Sequence, residues 1–530
     1  MEHVSARSRF LTALRNRAAH PAVVWNGRSF TFGEIERVSS LYVDRLRALG
    51  IHAGDRVAVF ANTCPEVVAA FVGHLASGVI HVPINTRYKA DEARHILEDS
   101  GAVAVLAREG GECQAVLEEI LRENKPVQLK DVLTLAAAFP SSPSKKSCSP
   151  SFSSLSSQSL PSSLTQSQPP QDEDIAMLIY TSGTTGKSKG VALSYRAVEE
   201  NTRTLMELWR FSAADRLVHA LPLFHVHGLC LGVAGALLTG FTLLLEERFD
   251  ARRVVDAFAN EGATSFMGVP TMYVRLLEQL DAHPEGAEAL RKARLFTSGS
   301  APLPAADFAA FREKTSHAIL ERYGMTETLF TLSNPFEGER RPGTVGLPVS
   351  GCAVRLVDDG GGEAREGEPG EIHVKGRGLM SGYWGREADT EAAYRNGWFQ
   401  TGDVARRDAD GYVTILGRKS VDVIKSGGYK ISAREIEDVL RRHPAVKDAA
   451  VVGLPDRVWG QRIAAAVVLV EPRDVDAAKK VCDEIAAFAA ASLADFKKPR
   501  DVLAVTELPR NALGKIQKHI LVETLAEGLP

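Results

Sequence analysis

The run Thr181-Ser182-Gly183-Thr184-Thr185-Gly186-Lys187-Ser188-Lys189-Gly190 packs three glycines, two lysines and five hydroxyl residues into ten positions. Glycine lets backbone N–H groups close around an anion, while ammonium and hydroxyl groups complete the donor set. The chemistry this suits is holding a polyphosphate. Gly186-Lys187-Ser188 imitates the end of a Walker A loop. That motif needs Gly five residues before its last Gly, and position 181 is Thr, so the spacing argues against a P-loop NTPase.

Further polar clusters follow. Glu321-Arg322-Tyr323-Gly324-Met325-Thr326-Glu327 comes about 140 residues after the loop. Phosphates call for a hard cation, and Mg²⁺ takes one or two carboxylates beside phosphate oxygens. Glu327 offers such a carboxylate, Tyr323 a ring that can stack on a base, and Thr326 a donor for a phosphodiester. Thr401-Gly402-Asp403 presents a carboxylate suited to two ribose hydroxyls, with Arg418 able to share the task; it also reads as a hairpin with a satisfied Asp. His225 and His227 stand two positions apart, but no third ligand stands at metal spacing, which rules against zinc.

The elements that must position these residues are α/β. Ile175–Tyr180 is an apolar run that reads as a buried strand feeding the loop. Ala22–Trp25 and Phe30–Phe32 flank Asn26-Gly27, a hairpin signal. Helices are predicted over 32–49, 65–77 and 90–100, alternating with strands at 56–60, 79–83 and 102–106, a rhythm that implies a parallel sheet under helices. Residues 140–170 break it. Nearly half are Ser, with too little apolar content to offset ordering entropy, so a disordered insertion is expected. Strands resume at 217–221, 242–245, 265–269 and 295–297; a β-rich subdomain follows from about 350 and a small α+β unit from about 419. The division expected is 1–417 and 418–530.

At 530 residues the chain exceeds one core. A net charge of −3 gives no global pull toward nucleic acid or anionic membrane. Six scattered cysteines without CxxC fit a reducing compartment. The apolar stretch 229–245 is cut by Gly232, Gly235 and Gly240, so it reads as buried helix, turn and strand rather than a membrane span. The Arg-rich start suits a mitochondrial transit peptide, but Phe10, Leu11 and Leu14 at helical spacing favour an ordinary first helix. A cytoplasmic, monomeric protein is expected, with mitochondria the alternative.

In this order, these stretches resemble the signatures of the adenylate-forming superfamily of acyl-CoA synthetases, peptide-synthetase adenylation domains and firefly-type luciferases. Pro509-Arg-Asn-Ala-Leu-Gly-Lys515 is similar to that superfamily's last signature, and Val423-Ile-Lys-Ser-Gly427-Gly428-Tyr-Lys430 to its glycine turn. The resemblance implies a large N-terminal domain and a mobile C-terminal one, turning on a hinge just after Arg418. It implies ATP contacts from Thr181 to Gly186 and from Lys189, Glu321, Tyr323, Asp403 and Arg418. It also implies Mg²⁺ on Thr181 and Glu327, CoA contacts at Gly427, Gly428 and Lys430, and catalytic roles for Lys515, Thr326 and Glu327.

Ala220–Gly228, Met267–Arg275, Ser298–Pro302 and Ile424–Gly428 look most like malonyl-CoA synthetases. That family's pattern places Arg275 and Ser300 on the distal carboxylate of malonate, with His227 in the same pocket. From residues alone Arg275 lies on the flank of an amphipathic helix, and an i,i+3 pair with Glu278 explains it equally well. The expected activity joins malonate, ATP and CoA into malonyl-CoA, AMP and pyrophosphate through malonyl-AMP, with methylmalonate as a further substrate. Medium-chain or aryl acyl-CoA synthesis is the alternative, a luciferase-like monooxygenase a more distant one.

Overall fold

The computed structural model describes residues 5–123, 126, 128–135, 170–181, 187–419, 422–426, 429–511 and 514–528. The Ser-rich insertion, Ser182 to Gly186 of the loop, and Gly427 and Gly428 lie outside the described residues. Strands among the described residues form sheets of nine, seven, five and five.

The loop belongs to the seven-stranded sheet. Its order is Gly382–Tyr383, Lys189–Ser194, Ile175–Thr181, Ile80–Pro83, Arg56–Phe60, Ala104–Ala107 and Asp131–Thr134. The predicted alternation of 56–107 is parallel as expected. The hairpin Pro21–Trp25/Arg28–Thr31 turns through Asn26 and Gly27, both at positive φ, as its Asn-Gly requires. It joins the other large sheet, where Val23 and Val24 pair parallel with Leu243 and Leu244. Pairing across 220 residues of sequence leaves no local signal.

Strand residues alternate between two cores. Leu217 and Leu243 pack into the central layer, Val218 and Leu244 into the outer one. Both faces being buried, the strands read as continuous apolar runs. The central layer is helical and lies between the two large sheets; the helix Pro65–Ser77 is buried along its whole length. Pro at its first turn and Gly78 in the left-handed region at its end set its bounds. The helix Phe32–Ala48 opens on a capping box between Thr31 and Glu34, worth about 1 kcal/mol. The first helix, Ala6–Asn16, buries Phe10, Leu11 and Leu14 in the same layer, as an ordinary folded helix does.

Between 352 and 418 the strands other than Gly382–Tyr383 form an antiparallel sheet. From Val423 onward the chain has its own sheet and its own cores. Among the described residues no helix is long and apolar enough to cross a membrane.

Candidate active site

The strands on either side of the loop are antiparallel partners: Thr181 pairs with Lys189 and Tyr180 with Gly190. Its lysines differ: Lys187 is exposed, whereas the Lys189 ammonium lies 3.0 Å from Asp389 and 5.2 Å from the ring centre of Tyr383.

Tyr383 connects the loop to Glu327. Its hydroxyl donates to Glu327 Oε1 at 3.2 Å. Glu327 is buried, and burial raises its pKa against the pull of a backbone hydrogen bond and of Arg418. A buried carboxylate short of positive charge is suited to a cation. Thr181 and Thr326 are both half-buried near this end of the sheets.

Tyr323, Asp403 and Arg418 meet as one cluster. The Tyr323 hydroxyl donates to Asp403 Oδ2 at 2.6 Å, and Arg418 Nε lies 2.9 Å from Oδ1, across a strand pair that puts Asp403 opposite Arg418. Each carboxylate oxygen keeps a free lone pair. Glu321 goes elsewhere: its Oε1 accepts from Gly343 N–H at 2.9 Å, and it faces Arg434 of the C-terminal part. It braces the frame instead of joining the Tyr323–Asp403–Arg418 cluster.

Lys515 reaches this cluster from the other end of the chain. Its loop is held by Lys515 N–H to Asn511 Oδ1 at 3.0 Å and Asn511 N–H to Lys515 O at 2.9 Å. Gly514, at φ +77°, lies so close to Thr271 that a Cβ there would sit 2.7 Å from the Thr271 hydroxyl. The ammonium stays open to solvent inside the cleft. Partial withdrawal from water, then the nearness of Arg418, lower its pKa, while Asp403 and Asp422 oppose the drop.

A second cluster gathers around His227. His227 opens a π-helical segment, His227–Ala234, and is buried; its Nδ1 is 3.4 Å from Ser300 Oγ. Ser300 itself adopts φ +68°. Burial holds His225 at about 4 and His227 well below its ordinary value, so both are neutral at working pH. Beside them stands Arg322, which the sequence reading passed over as the middle of a nucleotide motif. It is 3% exposed, and its guanidinium lies 4.6 Å from the Phe330 ring centre. Burial brings its pKa down to about 9, so it remains charged near neutrality. Its Nε and Nη2, like His225 Nε2, His227 Nε2 and Ser298 Oγ, have no hydrogen-bond partner among the described residues. Gly299 makes room for it, since a Cβ there would lie 2.6 Å from the guanidinium carbon. A buried cation surrounded by unmet donors is what an anionic ligand would complete. Strand alternation was the available signal: Glu321 and Tyr323 share one face, so Arg322 must point to the other.

Arg275, expected here, is exposed on the helix Pro270–Ala282. Among the described residues it makes neither a pocket contact by hydrogen bond nor the ion pair with Glu278.

A buried carboxylate at Glu327, the Tyr323–Asp403–Arg418 cluster and a lysine from the C-terminal part suit an enzyme that activates a carboxylic acid with a nucleotide. The chain belongs to the AMP-binding enzyme family: that family's model matches residues 10–384, and the AMP-binding enzyme C-terminal domain model matches 435–515. It is 33% identical to the malonate–CoA ligase of Arabidopsis thaliana over 95% of this chain and 86% of that one. Among solved structures it is similar to ATP-bound MatB from Rhodopseudomonas palustris, at 32% identity and TM-score 0.85 over 98% and 99% of the two chains. A malonyl-CoA ligase bound to methylmalonyl-CoA and AMP is 39% identical, with TM-score 0.66 over 93% and 97%.

Proposed function

We propose that this enzyme is an ATP-dependent malonate–CoA ligase. A carboxylate oxygen of malonate attacks the α-phosphorus of ATP, the bond to the β-phosphate breaks, and pyrophosphate leaves. The CoA sulfur then attacks the acyl carbon of malonyl-AMP, AMP departs with the bonding pair, and the thiol proton passes to solvent. The observation that carries the substrate class is Arg322, a buried guanidinium with two unmet nitrogens beside His227 and Ser300. Leaving such a charge unpaired costs about 3–5 kcal/mol. A second carboxylate relieves that cost, whereas acetate and fatty acids do not. Ser300, and Arg275 from the exposed flank of its helix, are the further contacts to that distal carboxylate. An added methyl changes binding by about 1–3 kcal/mol, so methylmalonate serves as a weaker substrate.

In this reading the loop from Thr181 to Gly186, with Lys189, holds the phosphates. Tyr323 stacks on the base, and Asp403 and Arg418 take the ribose. Thr326 donates to the new phosphodiester. Attack of carboxylate on phosphate sets anion against anion, and Lys515 offsets the charge that builds up between them. Glu327 and Thr181 would hold Mg²⁺, which neutralises phosphate charge when bound. The part from 418 onward turns about a hinge after Arg418, withdrawing Lys515 and bringing Gly427, Gly428 and Lys430 to CoA. Two comparisons support the turn: the 39% identical product complex superposes less well than the 32% identical ATP complex. Lower similarity of shape at higher similarity of sequence points to a different arrangement of parts. The enzyme acts as a monomer. The described cysteines are free thiols, which suits the cytoplasm.

The test is pyrophosphate release with ATP, Mg²⁺ and CoA across malonate, methylmalonate, acetate and octanoate, for the wild type, Arg322→Met and Arg275→Ala. The wild type should prefer the two dicarboxylates, and both variants should lose that preference. Octanoate turned over as well as malonate by the wild type would refute the malonate assignment and leave an acyl-CoA synthetase of another specificity.

A further inference from the structure

The last lysine of the loop is already engaged. Lys189 Nζ lies 3.0 Å from Asp389 Oδ2, with the two side chains 29% and 41% exposed. The segment carrying Asp389 is fastened to the loop's own strand. Gly382 and Tyr383 pair with Ala192 and Val191, Ser381 N–H donates to Ala192 O, and Trp384 N–H donates to Gly190 O, both at 2.8 Å. Within the segment, Tyr383 N–H donates to Thr390 Oγ1 and the Thr390 hydroxyl donates to Arg386 O, each at 2.9 Å. Arg386 is tied to Asp99, which also accepts from the Tyr180 hydroxyl. Asp389 is therefore held at a fixed place beside a lysine at the rim of the phosphate loop. Tyr383 lies between, with its ring under the Lys189 ammonium and its hydroxyl on Glu327.

We infer that Asp389 is a positioning residue that competes with polyphosphate for Lys189. While the loop is empty it keeps the ammonium folded back over Tyr383. ATP must draw Lys189 away from the carboxylate, and Asp389 recovers it as pyrophosphate leaves. The inference rests on the reading of Lys189 as a phosphate ligand. It gives Asp389 a role in product release, since a competing anion weakens the lysine's grip on the departing dianion. Exposed pairs of this kind are weak, so the expected effect is roughly two- to five-fold.

Binding of pyrophosphate to the full-length enzyme, followed by calorimetry, tests it. Asp389→Asn should tighten pyrophosphate by roughly two- to five-fold, with the gain shrinking as salt is raised. Asp389→Glu should bind like the wild type. Removing any nearby negative charge would tighten an anion to some degree, so the deciding comparison uses Lys189→Met. In that background Asp389→Asn should change nothing. An equal gain in both backgrounds, or no gain in the wild-type background while Lys189→Met alone weakens pyrophosphate, overturns the competition and leaves the loop's role intact. If Lys189→Met does not weaken pyrophosphate, the phosphate reading of this lysine fails and the inference with it. Unchanged melting of Asp389→Asn is expected, and a large loss would mark the pair as structural instead.

Discussion

Arg322 sets stability against function at a single position. Arg322 is 3% exposed and has no carboxylate partner among the described residues, so it carries a charge that burial disfavours. Arg322→Met, close in length and apolar, should raise the melting temperature, by about 1–4 kcal/mol in unfolding free energy, while lowering kcat/KM for malonate by roughly 10²- to 10³-fold. Scanning calorimetry and the pyrophosphate assay read the two sides separately; a variant both destabilised and fully active would contradict the assignment. Glu321 poses the opposite problem. Burial drives its carboxyl up to about 7, while Arg434 and the Gly343 and Leu303 N–H groups pull it down. The folded protein thus keeps a proton that the unfolded chain releases above its ordinary value near 4.5. Stability is lost as pH climbs through that window and stays level above it, by on the order of 3 kcal/mol. Glu321→Gln should flatten the fall in melting temperature between pH 5 and 7.5, and an unchanged slope would assign the fall to other groups. The types of these residues were legible in the sequence, but their partners were not. Glu321 answers to Arg434, more than a hundred positions away, and only the fold shows that Arg322 is enclosed.

Elements were more legible than residues, because period and punctuation are local. The hairpin at Asn26-Gly27, the helix Pro65–Ser77 between its Pro and Gly, and the strand before the loop all follow from neighbours in sequence. The π-helical winding of His227–Ala234 does not, nor does the docking of residues 382–383 onto the loop's strand. Both are set by what packs against them. The turn that carries Lys515 gives a prediction at this scale. Gly514 needs positive φ, and it needs the bare Cα that lets it touch Thr271. Gly514→Ala meets strain of about 1 kcal/mol and a clash with the Thr271 hydroxyl. Formation of malonyl-AMP should fall by an order of magnitude or more, while conversion of supplied malonyl-AMP with CoA should persist. Thr271→Ser, which trims the neighbour's methyl and keeps its hydroxyl, should give back less of the loss than Thr271→Gly. Full adenylation by Gly514→Ala would mean that the contact is incidental.

In the proposed cycle one cleft serves two reactions, and the placement of Lys515 suits the first. Lys515 stands with Arg418, Asp403 and Asp422 around it, and Gly514 is pressed on the N-terminal part. In that cycle thioester formation follows withdrawal of the Lys515 loop. The proposed turn would carry the C-terminal part as a body. Its own cores exclude the N-terminal layers, and Lys518 ties its last helix to Asp422 and Glu437, at 2.7 Å from each. Lys419 2.8 Å from Glu371 and Arg434 near Leu303 O are contacts that a turn must release. Exposed ion pairs and single hydrogen bonds of this sort cost little to break, so the turn needs no large driving force. Lys515→Ala isolates the consequence. It removes the cation from the step in which a carboxylate meets the α-phosphate, a loss of about 3 kcal/mol or more in transition-state stabilisation. In the proposed cycle the second step does not use that cation, since the displaced group is already an adenylate. Single-turnover assays should therefore show malonyl-AMP formation slowed by roughly 10²-fold or more, and supplied malonyl-AMP converted with CoA at nearly the wild-type rate. Equal impairment of both half-reactions would mean that Lys515 does not leave the cleft, and the two-pose cycle would have to be abandoned.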